Sequence, residues 1–99
     1  MYVEYNLIKI VVADIVYIEG MKDYVKIFMT GSARPVITRT SMKAMEERLA
    51  TYRFVRIHKS YIASADKITA IKRDLVCLDK VELPLSENYK PNIDRMLSS

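Results

Sequence analysis

Short apolar blocks separated by polar breaks run through most of this chain, and their spacing predicts strands for all but one stretch. Residues 5–12 are rich in β-branched side chains and too short for a convincing helix, which favours a strand. Ile15 to Glu19 is apolar on both faces, the pattern of a strand covered on both sides and therefore central. Gly20 breaks it, and Met21-Lys22-Asp23 bridges to Tyr24–Thr30, where Val25, Ile27 and Met29 share a core face and Tyr24, Lys26 and Phe28 the other. Gly31 to Pro35 reads as a turn and Val36 to Arg39 as a short returning strand.

The period changes at Thr40-Ser41. Either hydroxyl can cap a helix, and Met42, Met45 and Leu49 then recur at i, i+3 and i+7 as one apolar stripe, predicting a helix over roughly 41–50. Phe54-Val55-Arg56-Ile57-His58-Lys59-Ser60-Tyr61-Ile62 follows. If extended, it puts Val55, Ile57 and Lys59 on one side and Phe54, Arg56, His58 and Ser60 on the other, so neither side is cleanly apolar. It reads as a short strand breaking into an exposed turn between buried flanks, a natural place to present side chains to a partner.

Ala63 to Asp66 is a connection, and Lys67–Lys72 with Leu75–Leu78 is expected to form a hairpin around Arg73-Asp74. After a turn at Asp79-Lys80, Val81–Leu85 reads as one more strand, with Pro84 marking an edge or an end. Residues 86–90 form a polar loop. Pro91 to Leu97 is expected to be a short C-terminal helical turn with Ile93, Met96 and Leu97 on one side. The class is thus mostly β with one helix after the fourth strand.

Composition narrows the chemistry. Ninety-nine residues, 51% apolar and 28% charged, suit one folded domain with a modest core. No run approaches a membrane span and no export signal opens the chain, so it reads as soluble and not exported. The single cysteine, Cys77, lies in an apolar run, which excludes an internal disulfide and suits a reducing compartment. One histidine and two glycines leave no metal spacing and no phosphate-cradling loop, and no catalytic constellation is in view; no cofactor is expected. The net charge of +4 is uneven: Arg53, Arg56, Lys59, Lys67, Lys72 and Arg73 face one acid, Asp66, within one stretch, a candidate footprint for a polyanion or simply a solvated basic surface. Glu46 and Glu47 read as a solvated helix face. Three segments, 21–24, 56–60 and 86–90, each set polar or basic residues beside aromatics, the mixture that phosphate contact and base-edge reading require.

Asp14-Ile-Val-Tyr-Ile-Glu19 with Lys22-Asp-Tyr-Val25, then Phe54 to Ile62, then Lys67-Ile68 and Leu83-Pro-Leu-Ser86 with Tyr89, resembles in order and spacing the LytTR family of DNA-binding domains over nearly the whole chain. The resemblance implies an elongated β-β-β fold of about ten short strands with one small α-helix. It implies a cytoplasmic effector domain of a bacterial two-component response regulator, controlling transcription by placing loops in successive major grooves of direct repeats in promoter DNA. A receiver domain is not within these residues, so the chain would be a severed effector domain or a stand-alone member, monomeric alone and dimeric on DNA.

Carried over by position, Tyr24, Lys59 and Glu87 fall where the family places base-reading side chains, with Ser60 and Arg56 near backbone contacts and Lys22 beside the first loop. Two departures stand out. Lys59 occupies a place where Arg or Asn is frequent, exchanging a planar fork for a point charge. Glu87 stands where Arg is common; phosphates repel it, although it can accept from cytosine, so Asn88 or Lys90 is the substitute reader there. His58 is expected either to turn inward and fix its loop or to contact DNA, and Tyr61 and Tyr89 are expected to be core. Two rival readings remain: a β module for protein contact that has lost DNA reading, suggested by Glu87 and the mild charge, and single-strand binding through stacking on Tyr24.

Overall fold

The computed structural model describes residues 2–5 and 8–98. Among them, ten strands form three antiparallel sheets. The five-stranded sheet runs in the order β5 (Val36–Thr38), β4 (Val25–Met29), β3 (Ile15–Gly20), β7 (Tyr61–Ser64), β6 (Phe54–His58). On either side lie a hairpin of β1 (Tyr2–Tyr5) and β2 (Ile8–Val11) and a sheet of β8 (Ala70–Ile71), β9 (Leu75–Leu78) and β10 (Val81–Pro84). Helices α1 (Met42–Arg48) and α2 (Lys90–Ser98) complete the molecule, which measures 38 × 25 × 24 Å.

The five-stranded sheet carries a core on each face. Ile15, Ile18, Val25, Ile27 and Ile62 pack with Ile10, Val12 and the α1 residues Met45 and Leu49. Val55, Ile57 and Ala63 pack on the opposite side with Val76, Leu78, Leu83, Leu85 and Ile93 of α2. Each large aliphatic side chain buried this way contributes roughly 1.5–3 kcal/mol. The two-sided burial explains why β3 lacks a polar face, and it lies at the centre of the sheet as its pattern predicts. Ile15 and Ile18 would point opposite ways in a regular strand; a register shift between Ile15 and Tyr17 inserts a bulge that returns both to one core. On the other face the Tyr17 and Phe28 rings stack at 4.3 Å.

Helix α1 starts where the period changes. Of the two candidate hydroxyls, Ser41 caps it, its side chain accepting the Ala44 N–H at 3.0 Å. Seven residues are too few for a helix to persist alone, so α1 depends on the buried Met45 and Leu49.

Three expectations need correction. The segment 5–12 is not one strand: its described parts belong to the facing strands β1 and β2, residues 6 and 7 lie outside the described residues, and Val12–Asp14 is a 3-10 turn. The strand expected over Lys67–Lys72 shrinks to Ala70–Ile71, because Ala65–Lys67 forms a 3-10 turn that redirects the chain. The C-terminal turn is a nine-residue helix beginning at Lys90, and Leu97, expected on its packed side, is 67% exposed, whereas Ile93 is buried and Met96 half-buried. In the basic stretch 53–73, Arg53 pairs with Asp66 at 2.7 Å and Lys72 with Glu82 at 3.6 Å, while Lys67 donates to the Ala13 carbonyl at 2.5 Å and keeps its charge. Pro84 does end an edge strand, and Asp79 opens the β9–β10 turn at φ 54°, a left-handed conformation that Asp tolerates.

Candidate nucleic-acid interface

The fold gathers the three polar segments at one end of the five-stranded sheet. The first is the β3–β4 loop, closed by a hydrogen bond from Met21 N–H to the Tyr24 carbonyl at 2.7 Å, with Lys22 and Asp23 exposed and Tyr24 42% exposed. The second is the Lys59-Ser60 turn between β6 and β7. Gly20 N–H donates to the Ser60 carbonyl at 2.7 Å and ties the two together. A Cβ on Gly20 would lie 2.6 Å from Met42 Cγ, so the close seating of α1 beneath this junction calls for glycine.

A second bulge docks the third segment. Arg56 pairs with Ile62 and His58 with Tyr61, which leaves Ile57 as the extra residue of β6. Its carbonyl accepts the Ser86 N–H at 2.9 Å, while Asn92 of α2 donates to the Arg56 carbonyl at 2.9 Å. The 3-10 turn Glu87–Tyr89 therefore begins beside the end of β6.

Arg56 sits inside this junction with its side chain 13% exposed. Nε donates to the His58 carbonyl at 2.8 Å, Nη2 to the Lys59 carbonyl, and Nη1 to Glu46 Oε1 on α1 at 2.5 Å. Its guanidinium carbon also lies 5.4 Å from the centroid of the Tyr89 ring, within cation–π range. His58 turns toward the same loop: Nδ1 accepts the Ser60 N–H at 3.0 Å, and the ring lies 5.6 Å from that of Tyr61. An imidazole accepting at Nδ1 carries its proton, when neutral, on Nε2. Tyr61 donates to Glu19 Oε2 at 3.4 Å; burial first, then the Glu19 charge and this hydrogen bond, raise its phenol above the ordinary value of 10.0.

Lys59 is exposed at the tip and Ser60 half-buried behind it. In the third segment Glu87 is 85% exposed and takes Lys90 Nζ at 3.1 Å, and Asn88 is exposed. Lys22, Tyr24, Lys59, Glu87 and Asn88 thus have access to a partner, Arg56 and His58 hold the second turn together, and Lys90 is engaged with Glu87. Glu46, expected on a solvated helix face, instead pairs with Arg56 in the junction, and Asn92, which no local pattern marked, joins it; each reaches β6 from a helix that only tertiary packing places there. Among the described residues no group of acidic, histidine or cysteine side chains could hold a metal ion, and no helix is long and apolar enough to cross a membrane.

A sheet end with exposed cationic, aromatic and amide side chains on short, hydrogen-bonded loops is suited to contacting a polyanion in a fixed register. The model of the LytTr DNA-binding domain matches residues 5–98, and the chain belongs to this family. Two curated proteins, both called sensory transduction protein LytT, from Bacillus cereus and Bacillus anthracis, are each 25% identical over 101 residues, 96% of this chain. The chain spans 40% of the length of these relatives. A solved LytTr DNA-binding domain from Bacillus cereus shares the fold with a TM-score of 0.83 at 20% identity, covering 99% of this chain and 97% of that one. The chain is a LytTR DNA-binding domain, of a family defined by binding DNA rather than by catalysis.

Proposed function

We propose that this domain reads double-stranded DNA by sequence and serves as the effector part of a transcription regulator. The observation that carries the reading is the tethering of three loops at one end of the sheet by Gly20 N–H to the Ser60 carbonyl and Ser86 N–H to the Ile57 carbonyl. Loops held in register by backbone bonds lose little conformational freedom on binding, which favours a specific complex over a diffuse one. Tyr24 and Lys59 are the base-reading side chains, with Lys22 and Ser60 positioned for phosphate; Asn88 rather than Glu87 serves as the third reader. We assign Arg56 and His58 to holding the second loop, since Arg56 Nε, Nη1 and Nη2 and His58 Nδ1 already have partners in the protein. Sensory transduction is the role named for the LytT relatives, so we propose a signal-receiving part elsewhere in the full-length protein, with two copies on direct repeats when bound and a monomer when free.

The test is selection from a random duplex pool at two salt concentrations. Enrichment of a repeated motif at a spacing of about one helical turn, with affinity falling steeply as salt rises, is expected. Salt-insensitive capture of a protein, with no duplex enriched, would move the reading to a protein-contact module. Preference for single strands would move it to stacking on Tyr24.

A further inference from the structure

We infer that Glu46 of α1 is a positioning residue for DNA reading: through Arg56 it sets the pose of the second loop and its distance from the third. The inference rests on the function proposed above. Arg56 points four ways at once, to Glu46, to the His58 and Lys59 carbonyls and to the face of Tyr89. A guanidinium is a rigid planar fork, so fixing one edge fixes the directions of the others. Glu46 supplies that fixed edge, because it follows Met45, which is fully buried and locks this turn of α1 against the core. The two carbonyls and the ring on the other sides of Arg56 lie either in the turn that presents Lys59 or in the segment that presents Asn88.

The carboxylate also has an electrostatic consequence. With Glu46 beside it at 2.5 Å, Arg56 is neutralised where it stands, and its guanidinium does not swing out to a phosphate of any sequence. Glu46 therefore lowers affinity for arbitrary DNA and raises selectivity, a division that a solvated helix face would not produce. Glu47, one residue along and exposed on the same helix, carries the same charge and serves as the control.

The experiment compares Glu46→Gln, Glu46→Asp and Glu47→Gln for binding to the selected duplex and to a scrambled one across a salt series, with amide NMR spectra of the free domains. Glu46→Gln is expected to bind scrambled duplex more tightly, to steepen the salt slope by about one contact, and to lose roughly five- to tenfold in the ratio of selected to scrambled affinity. The Lys59, Ser60 and Tyr89 amides are expected to shift. Glu46→Asp keeps the charge but shortens the reach, so it is expected to lose selectivity without a steeper slope. Glu47→Gln is expected to tighten both duplexes equally and keep the ratio. If the wild type selects a motif and all three variants keep its ratio, the inference is overturned and the function stands. If the wild type selects no duplex, the function fails and the inference fails with it.

Discussion

The second and third loops lie side by side at one end of the sheet yet are built differently. The Lys59-Ser60 turn is held from within by Arg56 to two carbonyls, by His58 Nδ1 to Ser60 N–H and by Gly20 N–H to the Ser60 carbonyl. The Glu87–Tyr89 segment begins with one backbone bond to β6 and presents an 85% exposed carboxylate with a single surface partner, Lys90. Bracing of the first kind fixes a cation at a tip, whereas the second arrangement places a negative charge toward any phosphate that approaches. Under the proposed function, the loops of Tyr24 and Lys59 are therefore expected to carry most of the selectivity and Asn88 of the third loop the rest, while Glu87 lowers affinity for any duplex.

The largest expected effect comes from removing the brace. Arg56→Ala leaves Glu46 and two carbonyls without their donor and should lower unfolding stability in urea by about 2–3 kcal/mol. Lys90→Ala, which removes the third loop's pair, should cost no more than about 0.5 kcal/mol. Equal losses would erase the contrast between the loops. Next, Lys59→Ala should weaken binding to a selected duplex by about 1–3 kcal/mol and to a scrambled one by much less. A uniform loss on both would make Lys59 a phosphate contact. Glu87→Gln should strengthen binding to any duplex by a few tenths to about 1 kcal/mol at low salt, a gain that fades as salt rises. Weaker binding would instead make Glu87 a reader that accepts from cytosine.

The smallest effect concerns pH. Tyr61 follows the braced turn, and its phenol, like that of Tyr17, is raised in the folded domain, by burial first and the Glu19 charge second. The folded state thus favours the protonated phenol, and this contribution is fully present below the unfolded value of about 10 and is lost as pH climbs through and beyond it. The urea midpoint is expected to fall above pH 10, and Tyr61→Phe to flatten that fall. An unchanged fall in the variant would place the titration elsewhere.

Much of this was legible along the chain. The centrality of β3 follows from its two apolar faces, the helix from Met42, Met45 and Leu49 behind a capping hydroxyl, and the sheet edge from Pro84. The candidate loops were legible because basic and aromatic residues interleaved between buried flanks depart from the alternation that a folding core alone requires. Less legible were features set by two elements meeting. The bulges near Val16 and at Ile57 depend on partner strands, and periodicity assumes an uninterrupted pleat. The short β8 and the long α2 depart from the sequence pattern because element ends are settled by packing and caps more than by propensity.

By itself, the sequence determined which residues are apolar, where the period changes, and therefore that a β framework with one early helix and a basic, aromatic-bearing turn would form. The tertiary structure alone decided that the three polar segments share one end of the sheet, since that depends on Gly20 meeting Ser60 and Ser86 meeting Ile57 from places far apart in the chain. It also decided which cations are offered outward. Arg56 and Lys59 are equally basic as letters; the carboxylate of Glu46, ten residues before Arg56 and on another element, turns one inward and leaves the other in water.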